Sequence, residues 1–288
     1  MIVDFHTHIF PPEVIERKEE FLEKDLWFEK LYADPKARLI TAEKLIAEMD
    51  RAGVDKAVTF GFAWADMGLC RMSNDYVLEA MACCPERLIG FASLNPAKGE
   101  EAIREAVRCA EMGMLGLGEL MPDGQGFRLD DEKAMAPVVE VALSYGLVIQ
   151  SHTSEPVGHF YPGKGETTPE SVARFAQLFP EAKLVCAHWG GGLFFYELMP
   201  EMKSLLRNVY YDTAASLLLY RDKIFPLAAE ISGDKILFGT DYPLIGQRLF
   251  LRRIEKSGLS PAARSKLLGE NAARLLNMES RRTRKARK

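Results

Sequence analysis

Short apolar segments alternate along the chain with longer segments in which apolar residues recur every three or four positions. The short segments predict β-strands, and the longer ones predict amphipathic helices. The eight predicted strands cover residues 2–6, 56–60, 88–94, 115–119, 147–152, 183–188, 209–212 and 236–241. Because strand and helix alternate throughout, parallel strands joined by right-handed crossovers are expected. Eight units without a Gly-x-Gly-x-x-Gly motif after the first strand favour a (β/α)8 TIM barrel over an open doubly wound sheet.

Glycine marks the ends of three predicted helices. Gly53, Gly113 and Gly146 each follow the last residue of an apolar periodicity, which is typical because glycine adopts the left-handed backbone conformation at little cost. Further helices are predicted at residues 73–83, 169–179, 193–206, 219–231 and 261–276. The first βα connection, residues 9–40, is predicted to be a long loop that contains its own helix at 12–28.

The composition is that of a soluble globular protein of barrel size. The chain has 288 residues, close to the roughly 250 of a typical barrel, with 48% hydrophobic and 27% charged residues. We therefore predict one domain, residues 1–278. Residues 281–288 carry six positive charges within a net charge of -4, so residues 279–288 are predicted to form a basic, disordered tail. The acidic body argues against nucleic-acid binding, although the tail could serve as an arm for nucleic acid or a membrane surface.

The cysteines indicate neither disulfide bonds nor a thiolate metal site. Their number, five, is odd, and no Cys-x-x-Cys motif occurs. Such cysteines are typical of a reducing compartment. The first residues lack a basic segment followed by an apolar one, and no run of 18 apolar residues occurs. We expect a cytoplasmic protein without a membrane partner.

Histidines and carboxylates occur at the carboxyl ends of the predicted strands. By strand they are His6 and His8 (first), Glu119 (fourth), His152 (fifth), His188 (sixth) and Asp241 (eighth). In a closed barrel these ends meet at one face, where the active sites of this fold lie. Because residues i and i+2 of a strand face the same side, His6 and His8 are both expected to point into the barrel.

Three of these imidazoles and one carboxylate predict a metal site. His6, His8, His152 and Asp241 offer three nitrogens and one carboxylate oxygen. This set suits a single divalent ion with an open position for water. Zn²⁺ is the predicted ion, and Mn²⁺ or Fe²⁺ is also compatible with these ligands.

Seven short motifs distributed along the whole chain carry a family resemblance. They are DFHTH (4–8), NDY (74–76), PERLIGFASLNP (85–96), GLGEL (116–120), HWGGG (188–192), FGTDYP (238–243) and ENAARLL (270–276). Together they resemble the amidohydrolase superfamily, and most closely its branch of aminocarboxymuconate semialdehyde decarboxylase-like enzymes. The set is specific for this branch and hardly specific for a substrate.

The resemblance implies roles for the individual residues. It implies that His6, His8 and His152 bind the metal, that Asp241 binds it and touches the bound water, and that His188 lies beside that water and the substrate. Metal binding lowers the pKa of water to about 7, which provides a hydroxide nucleophile at neutral pH. Asp241 is then expected to orient the hydroxide and accept its proton, and His188 to stabilise an oxyanion or protonate the leaving group.

Three roles remain open for Glu119. In some relatives, such as the TatD-type deoxyribonucleases, a carboxylate on the fourth strand bridges a second metal. Alternatively, Glu119 contacts the substrate or orients a metal ligand, or it is a structural partner inside the barrel.

Aromatic and basic residues near the strand ends are candidates for substrate contacts. Phe10 in the long first loop, and Trp64 and Trp189 after the second and sixth strands, could cover the substrate or simply pack against loops. Arg71 and Arg248 could hold a carboxylate, although both are more typical of solvated side chains. The same choice applies to the long loop as a whole, which could cap the barrel mouth or contact a second subunit in a homodimer. His159 is expected to be a solvated loop residue.

The function predicted first is metal-dependent hydrolysis of a small organic substrate, an amide, cyclic amide, ester or lactone, by a metal-bound hydroxide. The alternative is a lyase, a non-oxidative decarboxylase or hydratase of an unsaturated or aromatic carboxylic acid, that uses the same metal site. A non-catalytic binding barrel is a third hypothesis, which the presence of all the expected ligand types disfavours. No motif for an organic cofactor occurs, and specificity is left to the loops.

Overall fold

Eight parallel strands form the central sheet of the computed structural model, which describes residues 1–278. The strands are β1 (Val3–His8), β2 (Lys56–Phe60), β3 (Leu88–Ala92), β4 (Gly116–Leu120), β5 (Val148–Ser151), β6 (Leu184–Cys186), β7 (Val209–Asp212) and β8 (Ile236–Leu237). Each strand pairs with the next one in sequence. All eight coincide with predicted strands, with ends that differ by a few residues.

Backbone hydrogen bonds between β1 and the segment that follows β8 close the barrel. The Phe5 amide donates to the Phe238 carbonyl at 2.6 Å, and the His8 amide donates to the Tyr242 carbonyl at 2.8 Å. The Asp241 amide donates back to the His6 carbonyl at 2.9 Å. The predicted (β/α)8 TIM barrel is therefore confirmed. The predicted basic tail, residues 279–288, lies outside the described residues.

Helices cover the outside of the barrel. The α-helices are Pro12–Glu16, Lys18–Lys24, Leu26–Tyr32, Ala42–Ala52, Met67–Cys83, Glu100–Glu111, Pro122–Gln125, Glu132–Tyr145, Pro169–Leu178, Pro200–Leu205, Ser216–Leu219, Ile224–Ser232, Gln247–Lys256, Pro261–Ser265 and Asn271–Leu275. Two 3₁₀ segments, Pro96–Lys98 and His188–Leu198, and a π-helical turn, Lys266–Glu270, complete the helical elements of the described chain. The second 3₁₀ segment is interrupted by left-handed backbone at residues 189–192. None of the described helices is long and apolar enough to cross a membrane.

Several helical regions differ from the sequence prediction. The helix predicted at 193–206 consists of the end of a 3₁₀ segment, His188–Leu198, and a short helix, Pro200–Leu205. The helix predicted at 12–28 consists of three short helices, and the last of them begins where Asp25 accepts hydrogen bonds from the Trp27 and Phe28 amides, both at 2.9 Å. Helix Gln247–Lys256 was not predicted, although Phe250 and Ile254 are spaced four residues apart and both are buried.

A register shift in β1 directs the two histidines of the DFHTH motif toward the mouth of the barrel. Phe5 belongs to the buried cluster inside the barrel, where its ring meets that of Phe91 on β3 edge to face at 5.7 Å. Strict alternation from Phe5 would turn His6 away from the interior. The pairing with β2 shifts between Asp4 and Thr7. The His6 ring therefore also faces inward and contacts Phe60, at 5.1 Å between centroids.

Candidate metal centre

His6, His8 and Asp241 lie close together at the carboxyl-terminal mouth of the barrel. His6 Nε2 is 3.2 Å from His8 Nε2. Asp241 Oδ1 is 3.7 Å from His6 Nε2 and 3.4 Å from His8 Nε2. The residues come from β1 and from the loop after β8, which the closure of the barrel makes neighbours. The Nε2 atoms of His6 and His8 and the Oδ1 atom of Asp241 are thus all within 3.7 Å of one another.

Glu119 on β4 lies between this group and a second pair of histidines. Its Oε2 atom is 3.5 Å from His6 Nε2 and 3.8 Å from His8 Nε2. Its Oε1 atom is 3.2 Å from His152 Nδ1 and 3.8 Å from His188 Nε2. Each carboxylate oxygen of Glu119 therefore faces a different pair of imidazoles. Either group of three, His6, His8 and Glu119 or Glu119, His152 and His188, is compact enough to contact a metal ion.

Each of the four histidines has one ring nitrogen held by an acceptor of the protein. The pairs are His6 Nδ1 with Asp212 Oδ2 (2.9 Å), His8 Nδ1 with Gly61 O (3.2 Å), His152 Nε2 with Gly163 O (2.8 Å) and His188 Nδ1 with Ala214 O (3.1 Å). A carboxylate or carbonyl oxygen only accepts, so in the neutral rings these nitrogens carry the hydrogen and the opposite nitrogens keep their lone pairs. The lone pairs face the centre, which is the arrangement that metal-binding histidines require.

The donor set fits a divalent cation. Neutral imidazole nitrogens combined with carboxylate oxygens suit Zn²⁺, Mn²⁺ or Fe²⁺, and a buried group of such donors needs a positive charge to balance the carboxylates. The residues predicted from the sequence as ligands are all present at the mouth. Glu119 lies in the same group, so its carboxylate joins the candidate ligands.

The carboxylates and imidazoles stabilise each other's charged forms. Burial opposes ionisation of His6, but the carboxylates of Asp212, Glu119 and Asp241 outweigh burial and raise the His6 pKa well above its ordinary value. Burial likewise opposes ionisation of Asp241, but its interactions with His6 and His8 lower its pKa to about 2. The pKa of Glu119 is also held well below its usual range, mainly by His6 against the effect of burial. Both carboxylates are therefore ionised at neutral pH.

The pKa values of the neighbouring His152 and His188 are shifted in opposite directions. His188 Nε2 lies 3.1 Å from His152 Nδ1. Burial, with the adjacent charge on His152, lowers the pKa of His188. Burial also acts on His152, but the hydrogen bond and charge of Glu119 outweigh it and raise the His152 pKa. Of the two rings, His188 is thus the one that stays neutral at physiological pH.

The backbone that carries two of these residues is strained. His188 has a φ of 55° and Asp241 a φ of 62°, in the left-handed region that disfavours side chains with a Cβ atom. Strain of this kind is concentrated at functional sites. The glycines after His188 have a packing reason, because a Cβ atom on Gly191 would lie 2.2 Å from the Ser154 carbonyl oxygen. The glycine triplet therefore allows a tight turn against the loop that follows β5.

A cavity of about 300 Å³ opens onto the candidate metal centre. Its walls are mostly apolar, and they include Phe62, Met121, Leu218 and Leu244. Arg38 is the only lysine or arginine among the lining residues that the structure describes. One guanidinium nitrogen of Arg38 donates to the Pro243 carbonyl at the rim.

The long first loop supplies part of the cavity wall. Leu31, Tyr32, Ala37 and Arg38 of this loop line the cavity. Burial, together with the charges of Asp241 and Glu119, raises the pKa of Tyr32 far above its ordinary value. The Tyr32 hydroxyl therefore keeps its proton and can donate a hydrogen bond into the cavity. His159, expected as a solvated loop residue, is exposed and also lines the cavity.

The three aromatic residues considered for substrate contact lie behind the wall. Phe10, Trp64 and Trp189 are at most 1% exposed, and none of them lines the cavity. The Phe10 ring packs on Tyr32 at 5.5 Å between centroids. The indole nitrogens donate to serines, Trp64 to Ser73 at 2.8 Å and Trp189 to Ser216 at 2.6 Å. In this structure the three rings support the cavity wall from behind, and their contact with a substrate stays a prediction.

The two arginines considered as ligands for a substrate carboxylate, Arg71 and Arg248, do not line the cavity. Arg71 lies beside a separate surface pocket with Arg104 and Arg108, and Arg248 is exposed without lining the cavity. Arg38, which the sequence analysis did not single out, lines the cavity instead. It was missed because it lies in the long loop, far in sequence from any strand end.

Asp212 is the second residue that was missed. It ends β7 and is fully buried, where it accepts a hydrogen bond from His6. Its position at the carboxyl end of a predicted strand is the same signal that identified the histidines. That signal could have found Asp212.

Comparison with known proteins identifies the family. A model described as amidohydrolase matches residues 3–278. The chain is 24% identical to the 2-amino-3-carboxymuconate-6-semialdehyde decarboxylase of Dictyostelium discoideum, over 96% of this chain and 92% of that one.

Solved structures share the fold. The 5-carboxyvanillate decarboxylase from Sphingomonas paucimobilis matches with a TM-score of 0.79 and 19% identity, over 96% of this chain and 98% of that one. A dihydroxybenzoic acid decarboxylase from Polaromonas sp. JS666, with bound manganese and the inhibitor 2-nitroresorcinol, matches with a TM-score of 0.74 and 21% identity, over 96% and 97% of the two chains. The family model covers nearly all of the described residues, and the chain therefore belongs to the amidohydrolase family.

Proposed function

We propose that the protein is a metal-dependent, non-oxidative decarboxylase of an aromatic or unsaturated carboxylic acid. The observation that carries this proposal is the cavity, in which apolar walls and Arg38, the only arginine or lysine among its described lining residues, adjoin the candidate metal centre. The relatives named above are decarboxylases of such acids. The lyase hypothesis, placed second on the sequence alone, therefore replaces hydrolysis as the preferred function.

The metal ligands are proposed to be His6, His8, His152 and Asp241. Glu119 lies within reach through either carboxylate oxygen. When bound, a divalent ion would neutralise negative charge on the substrate and draw electron density from it. Manganese in a related decarboxylase supports Mn²⁺ as the ion to test first, ahead of the Zn²⁺ expected from the ligand types.

The substrate would be bound by charge at one side and by apolar contact at the other. Arg38 has guanidinium N–H groups left over after its bond to Pro243, and these can donate to an acidic group of the substrate. Phe62 and Leu218 lie on the apolar wall, where a ring would be held. A cavity of about 300 Å³ accommodates one substituted ring and limits larger molecules.

The chain must also deliver a proton to the substrate. Decarboxylation breaks the bond between the carboxylate and its carbon, carbon dioxide leaves, and a proton takes its place on that carbon. His188 and Asp241 both line the cavity and are the groups proposed to handle this proton. Since Ala214 holds Nδ1 of His188, only Nε2 can exchange a proton with a bound molecule.

The test is turnover of a panel of acids by the Mn²⁺-loaded protein. The panel includes 2,6-dihydroxybenzoate, 5-carboxyvanillate and carboxylated muconate derivatives, beside a matched panel of esters, lactones and cyclic amides. We expect carbon dioxide release and a product that lacks one carboxylate, both abolished in His8→Ala. Hydrolysis in the second panel without decarboxylation of any acid would instead establish the hydrolase.

The remaining properties of the protein are predicted from its sequence. They are a small-molecule substrate without a nucleic-acid or membrane partner, a cytoplasmic location, and a homodimer as an alternative use of the long loop.

A further inference from the structure

Asp212 accepts four hydrogen bonds from two parts of the candidate site. Its Oδ2 atom accepts from His6 Nδ1 at 2.9 Å and from Gln150 Nε2 at 2.9 Å. Its Oδ1 atom accepts from the His188 amide at 3.1 Å and from the Ala214 amide at 2.9 Å. The side chain is fully buried, so no water competes for either oxygen.

The two carboxylate oxygens of Asp212 contact different histidines. Oδ2 faces a ring nitrogen of His6, and Oδ1 faces the backbone amide of His188. Gln150 Nε2 also lies 3.1 Å from His6 Nδ1, but an amide nitrogen does not accept a hydrogen bond, so a hydrogen on Nδ1 has only Asp212 Oδ2, at 2.9 Å, as its acceptor. A ring nitrogen 2.9 Å from a carboxylate oxygen that accepts its hydrogen bond must carry a hydrogen. The His6 lone pair is then confined to Nε2, which faces His8 and Asp241.

The contact with Oδ1 compensates for strain in the other half of the site. His188 and Trp189 both have left-handed backbones, with φ of 55° and 64°. The Asp212 carboxylate bonds to the His188 amide at the start of this turn. Ala214, whose amide contacts the same oxygen, supplies the carbonyl that holds His188 Nδ1. One carboxylate thus connects the backbone of His188 with the acceptor of its ring.

We propose that Asp212 is a positioning residue that selects the Nδ1–H tautomer of His6 for metal binding and, through its other oxygen, fixes the loop that carries His188. This inference rests on the proposed function, in which His6 binds the metal and His188 handles the proton, and it adds a residue that positions both. Asp212 itself contacts neither the metal nor the substrate. Its effect is transmitted by the two histidines.

The first test needs neither turnover nor a variant. The protein contains five histidines, so long-range ¹H–¹⁵N correlation spectra of the metal-free protein are simple enough to assign. We expect His6 and His188 to show the Nδ1–H tautomer in spectra recorded above the pH at which both rings lose their charge. A neutral His6 with its hydrogen on Nε2 would overturn the proposal.

The second test separates the two oxygens with Asp212→Asn. Asparagine keeps one carbonyl oxygen for the His188 and Ala214 amides, but its NH₂ group cannot accept from His6. We expect His6 to shift to the Nε2–H tautomer and the Kd for Mn²⁺ to rise roughly 10- to 100-fold, the usual effect of losing such a partner. The melting temperature is expected to change little, because the backbone contacts remain.

Two matched controls exclude general damage. Gln150→Met removes the other donor to Oδ2 but keeps the carboxylate, and Glu105→Gln alters a buried carboxylate outside the site. Both are expected to retain the wild-type His6 tautomer and Mn²⁺ affinity. Wild-type affinity and tautomer in Asp212→Asn would overturn the proposal, even if the protein decarboxylates an acid. If no acid is decarboxylated, the tautomer shift and the weaker Mn²⁺ binding are expected all the same.

Discussion

Nε2 of His188 lies 3.1 Å from Nδ1 of His152, and both nitrogens are turned toward Glu119 Oε1. This places His188 across Glu119 from His6 and His8. The arrangement is consistent with a proton-transfer role for His188, and it also leaves His188 close enough to ligate a metal. The experiments below distinguish these roles.

Replacement of His8 by alanine is expected to remove most of the bound metal. Its Nε2 faces both His6 and Asp241, and a small group of ligands cannot lose one nitrogen and keep its geometry. Metal content is measured by mass spectrometry of the purified protein after dialysis against Mn²⁺, with His159→Ala as the matched control on the cavity rim. Stoichiometric metal in His8→Ala would refute the ligand assignment.

His188→Asn is expected to retain the metal and to decrease kcat by roughly 100- to 10,000-fold, the usual contribution of a general acid or base. Asparagine can preserve the hydrogen bond to Ala214 but cannot exchange a proton through a ring nitrogen. The measurement combines kcat on the best acid with metal content. Loss of metal from this variant would instead make His188 a ligand, and would favour a centre of two ions bridged by Glu119.

Arg38→Met is expected to raise KM with a smaller change in kcat. Methionine keeps the apolar part of the side chain and removes the charge that is proposed to bind the acid. A lost charge-assisted hydrogen bond of about 1.5 to 3 kcal/mol corresponds to roughly a 10- to 100-fold decrease in kcat/KM. Arg248→Met is the matched control, since Arg248 is exposed and does not line the cavity. Equal KM and kcat values for the two variants would show that Arg38 does not bind the acidic group of the substrate.

Glu105 provides a test of stability outside the site. Its carboxylate accepts from Asn74 Nδ2 at 2.8 Å and from Arg108 at 2.6 Å. Burial opposes ionisation, but these hydrogen bonds outweigh it and lower the pKa of Glu105 below its ordinary value of 4.5. A lowered folded-state pKa stabilises the protein above the unfolded-state pKa, and this contribution is lost as the pH falls through the folded-state value.

Glu105→Gln is therefore expected to lower the free energy of unfolding by about 1 to 3 kcal/mol at pH 7, because a charge-assisted bond to Arg108 is replaced by a neutral one. The difference from the wild type is expected to shrink when the pH falls below about 4.5. Urea denaturation of both proteins between pH 7 and pH 3.5 measures this difference in the free energy of unfolding. A difference independent of pH would show that the charge of Glu105 does not contribute.

The sequence alone determined the barrel and most of the residues at its mouth. Short continuous apolar segments locate the strands because both faces of a parallel sheet are buried, and this requirement is local to each strand. His6, His8, His152, His188, Glu119 and Asp241 were found in the same way, because the carboxyl ends of all strands of a closed barrel meet at one face.

The tertiary structure alone decided which atoms face one another. The tautomer of His6 depends on Asp212, which is 206 residues away in sequence, and no local pattern encodes this contact. Phe10 and Arg38 belong to the same long loop, yet Phe10 is buried behind the wall while Arg38 lines the cavity. Both residues lie outside the three short helices of the loop, where the backbone has no period that assigns side chains to a face, so only packing against the barrel does so.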